Sequence, residues 1–199
     1  MVKIKICGLK RLEDIEIANK YKPDYIGFVF ADSKRKVSHD LAGELKKNLN
    51  SDIVSVGVFV DAPQDEILEL FNQKIIEIAQ LHGAEREEYI RNLKEKNNHE
   101  LKIIKAIEIT QNTDLLSYDD SKADYLLLDS GKGSGKTFDW RLIRKDLKKE
   151  FFLAGGLNSS NVIEAINEFN PYAIDLSSSL ETDGFKDENK IKEIMEVIN

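Results

Sequence analysis

The chain has 199 residues, of which 41% are hydrophobic and 33% are charged, a composition typical of a globular protein with one domain. Its net charge of -7 argues against a nucleic-acid binder, and no apolar run approaches the roughly 18 residues that a membrane span needs. The start, Met-Val-Lys-Ile-Lys-Ile, lacks the long apolar segment of a signal peptide, so we predict a cytoplasmic protein.

Short apolar segments alternate with amphipathic segments along the whole chain. Most of the apolar segments are nearly continuous, as expected of parallel strands that are covered on both faces. In chain order we predict strands over residues 3–7, 25–30, 54–59, 76–81, 103–107, 125–128, 151–154 and 173–176. Apolar residues at helical spacing follow the strands, and only the helix expected around 114–118 is poorly marked.

Eight repeats of strand and helix predict a parallel sheet that closes into a (β/α)₈ barrel, with residues 1–199 as a single domain. A doubly wound open sheet is the structural alternative. Its Gly-x-Gly-x-x-Gly signature is missing after the first strand. In the barrel fold the chemistry lies at the carboxyl ends of the strands, so the residue types at those ends carry the most information.

Polar side chains stand at several predicted strand ends. They are Cys7 after the first strand, Arg35 after the second, His82 after the fourth, Asp129 after the sixth and Asp175 in the eighth. A thiol, a guanidinium, an imidazole and two carboxyl groups on one face would make a workable acid–base site. Asp129 is the strongest candidate, because three leucines precede it and a partly desolvated carboxyl suits a general acid.

Each of these residues also has a plain structural interpretation. Cys7, the single cysteine, excludes an internal disulfide and a cysteine-based zinc site, and on composition alone it is more simply a core residue. His82 has no second ligand at metal spacing, so we predict no metal. Asp175 would also serve as a buried structural acid, and Arg35 as part of a solvated basic loop.

The last two strands predict a phosphate cradle. Gly155 and Gly156 follow the seventh strand and allow backbone N–H groups to approach a ligand, and Asn158 is expected to cap a helix over 159–169. Ser178 and Ser179 follow the eighth strand. Either turn alone is ordinary punctuation, but the pair at the end of a repeating chain favours a phosphate site.

These residues fall within motifs that resemble those of the phosphoribosylanthranilate isomerase family, over most of the chain. The segments that carry the resemblance occur in order: Lys5-Ile6-Cys7-Gly8-Leu9, Gly27-Phe28-Val29-Phe30, Ser33-Lys34-Arg35, Val56-Gly57-Val58-Phe59-Val60, Gln80-Leu81-His82-Gly83, Leu127-Leu128-Asp129, Gly133-Ser134-Gly135-Lys136-Thr137-Phe138-Asp139-Trp140 and Ala154-Gly155-Gly156-Leu157. The first motif and that of the sixth loop are specific. Gly-Gly-Leu alone would fit many phosphate-binding barrels.

The resemblance implies a cofactor-free Amadori rearrangement of N-(5-phosphoribosyl)anthranilate, the third step of tryptophan synthesis. It makes Asp129 the general acid that protonates the ring oxygen and Cys7 the general base on C2, which requires some thiolate. Arg35 would face the anthranilate carboxylate. The phosphate would rest near Gly155, Gly156, Ser178 and Ser179 with help from Gly133 and Gly135, while His82 and Asp175 would orient the substrate. The partner implied is a small phosphorylated molecule, and a monomer and a homodimer both remain open.

Two positions depart from the family pattern. Lys132 replaces the first glycine of a sixth loop that is also shorter than in many relatives, which would affect a lid. Ser179 stands where the family usually has glycine, which would distort the cradle if that residue needs a positive φ. Neither change touches Cys7, Asp129 or Arg35.

Two rival functions remain open from the sequence. One is another phosphate-binding barrel enzyme. An indole-glycerol-phosphate synthase needs a lysine as its acid, and Lys105 is the candidate for that role. A sugar-phosphate epimerase needs paired histidine and carboxylate metal ligands, and the three histidines lack suitable spacing. The other is a non-catalytic barrel that has kept only its phosphate cradle. Binding alone would not require Cys7 and Asp129.

Overall fold

The protein forms a closed barrel of eight parallel strands, each hydrogen-bonded to its neighbour in chain order. The computed structural model describes residues 2–129, 142–143 and 146–198. The strands are Lys3–Cys7 (β1), Tyr25–Val29 (β2), Val54–Phe59 (β3), Ile78–Leu81 (β4), Lys102–Glu108 (β5), Tyr125–Asp129 (β6), Phe151–Leu153 (β7) and Ala173–Leu176 (β8). The predicted barrel is therefore confirmed, and strand ends differ from prediction by at most two residues. That residues 1–199 form one domain stays a prediction.

Helices cover the outside of the barrel and bury their apolar faces against the strands. They are Leu12–Tyr21 (α1), His39–Lys47 (α2), Gln64–Asn72 (α3), Glu87–Lys96 (α4), Val162–Phe169 (α5) and Glu188–Ile198 (α6). The poorly marked segment after β5 forms only a 3₁₀ turn, Leu115–Tyr118. Most of the predicted helix after the sixth loop lies outside the described residues.

The interior of the barrel holds a second, separate apolar cluster. Inward residues such as Val56, Ile104, Leu127 and Phe152 fill its middle, because alternate residues of each strand point to the axis. At the amino end three tyrosines, Tyr25, Tyr125 and Tyr172, join their hydroxyls in a chain. The barrel is thus packed from its amino end to its middle, which leaves the carboxyl end for a cavity.

A two-stranded hairpin follows β8. Its strands are Glu181–Thr182 (β9) and Phe185–Lys186 (β10), and Lys186 pairs with Glu181 in the antiparallel register. Gly184 makes the turn with a φ of +80°, in the left-handed region that favours glycine. The hairpin therefore brings a carboxylate and an amine side by side at the rim of the barrel.

Helix α5 begins later than the sequence predicts. It starts at Val162 and not at Ser159, and residues 159–161 form a turn. The Asn158 side chain does not cap the helix, because its Oδ1 accepts from the backbone N–H of Ser160 at 2.9 Å. Asn161 takes the N-cap position. The predicted cap was wrong because Asn158 closes a local turn before the helix begins.

Within the described residues, none of the helices has the length and apolar character needed to cross a bilayer. The cytoplasmic location stays a prediction of the sequence.

Candidate active site

A cavity of about 990 Å³ opens at the carboxyl end of the strands. Nine of the predicted site residues line it: Cys7, Arg35, His82, Asp129, Gly155, Gly156, Asp175, Ser178 and Ser179. Gly133, Gly135 and Lys132 lie outside the described residues. Strands that are far apart in the chain therefore bring their ends together as the barrel geometry requires.

Cys7 ends β1 and points into this cavity with 8% of its surface exposed. It pairs in register with Gly27 of β2, and a Cβ on Gly27 would lie only 2.6 Å from the Cys7 sulfur. Glycine at position 27 thus leaves the space that the thiol occupies. Val29 and Val58 complete the apolar surroundings of the sulfur.

Charged side chains lie close to the Cys7 thiol. Lys5 is within hydrogen-bonding reach of it, Asp175 and Lys186 act on it through their charges, and all three are largely buried. Burial raises the pKa of Cys7, and the cations Lys5 and Lys186 oppose that effect without cancelling it. The cationic neighbours that a thiolate requires are therefore present, but burial outweighs them.

Lys5 and Asp175 form a buried ion pair beneath the cysteine. They are register partners on β1 and β8, their Nζ and Oδ2 atoms are 2.9 Å apart, and their side chains are 0% and 8% exposed. Burial raises the pKa of Asp175, although Lys5 opposes it. Asp175 Oδ1 is also buried and has no hydrogen-bond partner in the described part of the chain. That oxygen is available to a ligand hydroxyl in the cavity.

We expect Lys5→Met to lower the free energy of unfolding by about 3–5 kcal/mol, because the substitution leaves Asp175 buried without its cation. Urea unfolding at pH 7 measures the change. The double variant Lys5→Met/Asp175→Leu removes both charges and should recover most of the loss. Equal stability of the single variant and the wild type would show that the pair contributes nothing.

Asp129 belongs to a line of side chains that runs across β4 and β6. His82 Nε2 lies 3.5 Å from Asp129 Oδ2, and His82 Nδ1 lies 3.0 Å from the amide nitrogen of Gln80. With that amide group donating to Nδ1, the imidazole proton is on Nε2 and faces the carboxyl. Gln80 is 2% exposed, so its amide holds the ring in place.

The predicted phosphate cradle has the backbone shape that the glycines suggest. Gly155 and Gly156 have φ values of +86° and +70°, in the left-handed region. The Asn158 and Asn161 amide groups both donate to the Gly156 carbonyl, at 3.2 and 3.1 Å. Asparagine side chains therefore brace the loop from below, and the cavity lining extends through Asn158.

The second half of the cradle is a short 3₁₀ helix over Ser178–Leu180. Ser179 lies within it and its φ is not positive. Serine at this position therefore carries no left-handed backbone strain. The cradle is not distorted in the way expected for a serine with a positive φ. The Ser177 hydroxyl donates to the Cys7 carbonyl at 3.0 Å, which ties this loop to the end of β1.

Arg35 lies at the rim and is already engaged by a carboxylate that sequence reasoning did not single out. Its Nε and Nη2 atoms donate to the two oxygens of Glu181 at 2.6 and 2.9 Å. Lys5, Gln80 and Lys186 were missed as well. The signal for Lys5 was a lysine two residues before Cys7, which puts both side chains on the inward face of β1.

Lys105 does not support the lysine-acid alternative. Its neighbours Ile104 and Ala106 belong to the cluster inside the barrel, so Lys105 points outward. Its amine pairs with Glu85 at 2.8 Å. The described residues also contain no group of three His, Cys, Asp or Glu that could hold a metal.

Comparisons with known proteins agree with this architecture. Residues 4–197 match the family described as N-(5'phosphoribosyl)anthranilate (PRA) isomerase. A curated relative from Endomicrobium trichonymphae, N-(5'-phosphoribosyl)anthranilate isomerase, is 46% identical and covers 100% of this chain and 98% of its own. The crystal structure of phosphoribosyl anthranilate isomerase from Thermus thermophilus is 30% identical, with a TM-score of 0.89 over 99% of this chain and 98% of the other.

A further solved structure shows such an isomerase in complex with reduced 1-(o-carboxyphenylamino)-1-deoxyribulose 5-phosphate. It is 34% identical to this chain, with a TM-score of 0.85, and the match covers 98% of this chain and 97% of the other.

Proposed function

Because the chain belongs to the N-(5'-phosphoribosyl)anthranilate isomerase family, whose enzymes act in tryptophan biosynthesis, we propose that its cavity catalyses an Amadori rearrangement through Cys7 and Asp129. The substrate is N-(5-phosphoribosyl)anthranilate and the product 1-(2-carboxyphenylamino)-1-deoxyribulose 5-phosphate. The main support is that a thiol and a carboxyl group line one cavity between a glycine-rich loop and an arginine. No cofactor enters the proposal.

In the first step Asp129 donates its proton to the furanose ring oxygen while the C1–O bond breaks. The nitrogen lone pair forms a C1=N double bond, so the open intermediate is a protonated Schiff base. The His82 N–H that faces Asp129 then stabilises the carboxylate that remains. This is general acid catalysis, in which the acid must lie within reach of the leaving oxygen.

In the second step Cys7 removes the C2 proton as a thiolate. The electron pair of the C2–H bond forms a C1=C2 double bond and neutralises the iminium nitrogen, giving an enolamine. Tautomerisation then adds a proton at C1 and removes one from the C2 hydroxyl, which gives the product with no atom gained or lost. A proton passes from the Cys7 thiol to the Asp129 carboxylate through solvent and restores both groups for the next turnover. The iminium charge formed in the first step lies next to C2 and favours the loss of that proton.

The remaining groups bind and orient the substrate in this proposal. The phosphate rests on backbone N–H groups near Gly155, Gly156, Ser178 and Ser179, and Gly133 and Gly135 of the sixth loop are proposed to contribute. Arg35 faces the anthranilate carboxylate. Asp175 Oδ1, which has no hydrogen-bond partner among the described residues, accepts from a hydroxyl of the open sugar. A monomer or homodimer, with no nucleic-acid partner, stays a prediction.

We expect Cys7 to be alkylated slowly by iodoacetamide near pH 7 and faster as the pH rises. Burial raises the pKa of the thiol, so the reactive thiolate accumulates only above the pKa of a free cysteine, about 8.5. Mass spectrometry follows the reaction directly, because the chain has one cysteine. If the alkylation rate reached half its maximum at a lower pH than for free cysteine, the cations would outweigh burial in setting the pKa of Cys7, contrary to this expectation.

The proposed function is tested by turnover. Phosphoribosylanthranilate generated in situ should lose its fluorescence when the purified protein is added, without any added metal. Binding of the reduced product analogue without turnover would support the non-catalytic alternative. If the protein showed no turnover and did not bind the reduced product analogue, the proposed substrate would be refuted.

A further inference from the structure

Glu181 is the centre of a cationic cluster at the rim of the cavity. Its side chain is 5% exposed, and among the described residues its oxygens lie within 4 Å of three cations: Arg35 at 2.6 Å, Lys186 at 3.0 Å and Lys34 at 3.6 Å. Burial alone would raise the pKa of Glu181, but the hydrogen bonds of Arg35 and the charge of Lys186 outweigh it and lower the pKa to about 2. Glu181 is therefore ionised throughout the neutral range.

The Arg35–Glu181 pair uses one defined edge of the guanidinium. Nε and Nη2 donate to the two carboxylate oxygens, which is the side-on, bidentate arrangement. A guanidinium has five N–H donors, so the end-on edge formed by Nη1 and Nη2 remains for another acceptor. Arg35 lines the cavity, and its end-on edge is the part of the guanidinium that Glu181 leaves for a ligand carboxylate there.

Both partners of the pair are held in place from other parts of the fold. The Arg35 side chain crosses Gly8, where a Cβ would overlap its Cδ, so glycine at position 8 provides the surface on which the arginine rests. Glu181 is fixed by the β9–β10 pairing with Lys186, and the Lys190 amine donates to its carbonyl at 2.6 Å. The pair thus anchors the loop after β2 to the loop after β8.

We propose that Glu181 is a positioning residue: it grips the side-on edge of Arg35 so that the end-on edge meets the carboxylate of the substrate. This inference rests on the proposed function, which assigns that carboxylate to Arg35. In the part of the chain that the structure describes, Glu181 carries one negative charge against the three positive charges of Arg35, Lys186 and Lys34, so these four side chains together present a net positive charge to an anionic ligand. Glu181 also follows Ser178 and Ser179, so one short segment serves both ends of the substrate.

Two ligands that differ by one group test the proposal. They are reduced 1-(o-carboxyphenylamino)-1-deoxyribulose 5-phosphate and the corresponding compound made from aniline, which lacks the carboxylate. Calorimetry gives the ratio of their Kd values. We expect the wild type to prefer the carboxylate-bearing ligand by about tenfold or more, as for a charged hydrogen-bonded pair. Glu181→Gln should lose most of that preference, and Arg35→Ala all of it.

Further variants separate positioning from a structural role. Glu181→Asp keeps a charge beside Lys186, which preserves the fold, but withdraws the oxygens by one methylene and should also lose preference. The double variant Arg35→Ala/Glu181→Gln should have the same ratio as Arg35→Ala. Glu188→Gln is the matched control, because Glu188 of α6 forms an exposed ion pair with Lys20 of α1 and the variant should keep the wild-type ratio. In turnover, Glu181→Gln should raise KM far more than it lowers kcat.

Three results would overturn the inference. If folded Glu181→Gln and Glu181→Asp kept the wild-type ratio, Glu181 would be structural only. A larger ratio would mean that Glu181 competes with the ligand for Arg35. If Glu181→Gln also lowered the ratio of the Kd values in the Arg35→Ala background, Glu181 would act through a group other than Arg35. Wild-type turnover together with any of these would leave the proposed function intact.

Discussion

Asp129→Asn should lower kcat by about 10² to 10⁴-fold, the range in which a single general acid contributes. The amide has nearly the same shape as the carboxyl group, so the contact with His82 and the packing at the end of β6 are preserved. It has no proton acidic enough to give to the ring oxygen. Steady-state turnover of substrate generated in situ measures the effect.

The same variant should bind the reduced product analogue as tightly as the wild type, because that ligand has no ring to open. Unchanged Kd with lost kcat would assign Asp129 to the chemical step. An Asp129→Asn protein with full activity would refute its role as the acid.

Cys7→Ala should lower kcat to a similar extent, because it removes the group proposed to take the C2 proton. Cys7→Ser keeps the volume and replaces the thiol by a hydroxyl, which ionises far less readily, so it should be almost as inactive. Both are small substitutions in the space beside Gly27, and neither introduces a clash there. The measurement is kcat at several pH values.

The pH dependence identifies the base. In the wild type kcat/KM should rise toward alkaline pH, since the pKa of the free-enzyme thiol is raised and the base form is the thiolate. Cys7→Ser should lose this rise below pH 9, while its free energy of unfolding stays close to that of the wild type. Full activity in both Cys7 variants would move the base to another residue.

Much of the site followed from residue type at the strand ends. Cys7, His82 and Asp129 could be assigned to one cavity because a closed parallel barrel must bring the carboxyl ends of its strands together. Gly155 and Gly156 of the seventh loop were predicted for a different reason: glycine adopts a positive φ without strain, and both residues have one. These inferences need only the strand order, which the periodicity of apolar residues carries.

Side-chain pairing across the barrel was a different matter. Lys5 and Asp175 are 170 residues apart, and Arg35 and Glu181 are 146 apart. Nothing in the local pattern says which cation meets which carboxylate, because that depends on register and on the depth of each side chain. The start of α5 was missed at shorter range, where an asparagine turn competed with the helix cap.

The alternation of buried strands with amphipathic helices was enough to determine the barrel and which residues lie at its carboxyl end. Both follow from local periodicity and from the right-handed connections that place parallel strands side by side in chain order. The raised pKa of Cys7 and the pairing of Arg35 with Glu181 were decided only in the folded protein. Burial and the distance to charges brought from remote strands set both, and these quantities exist only once the barrel is closed.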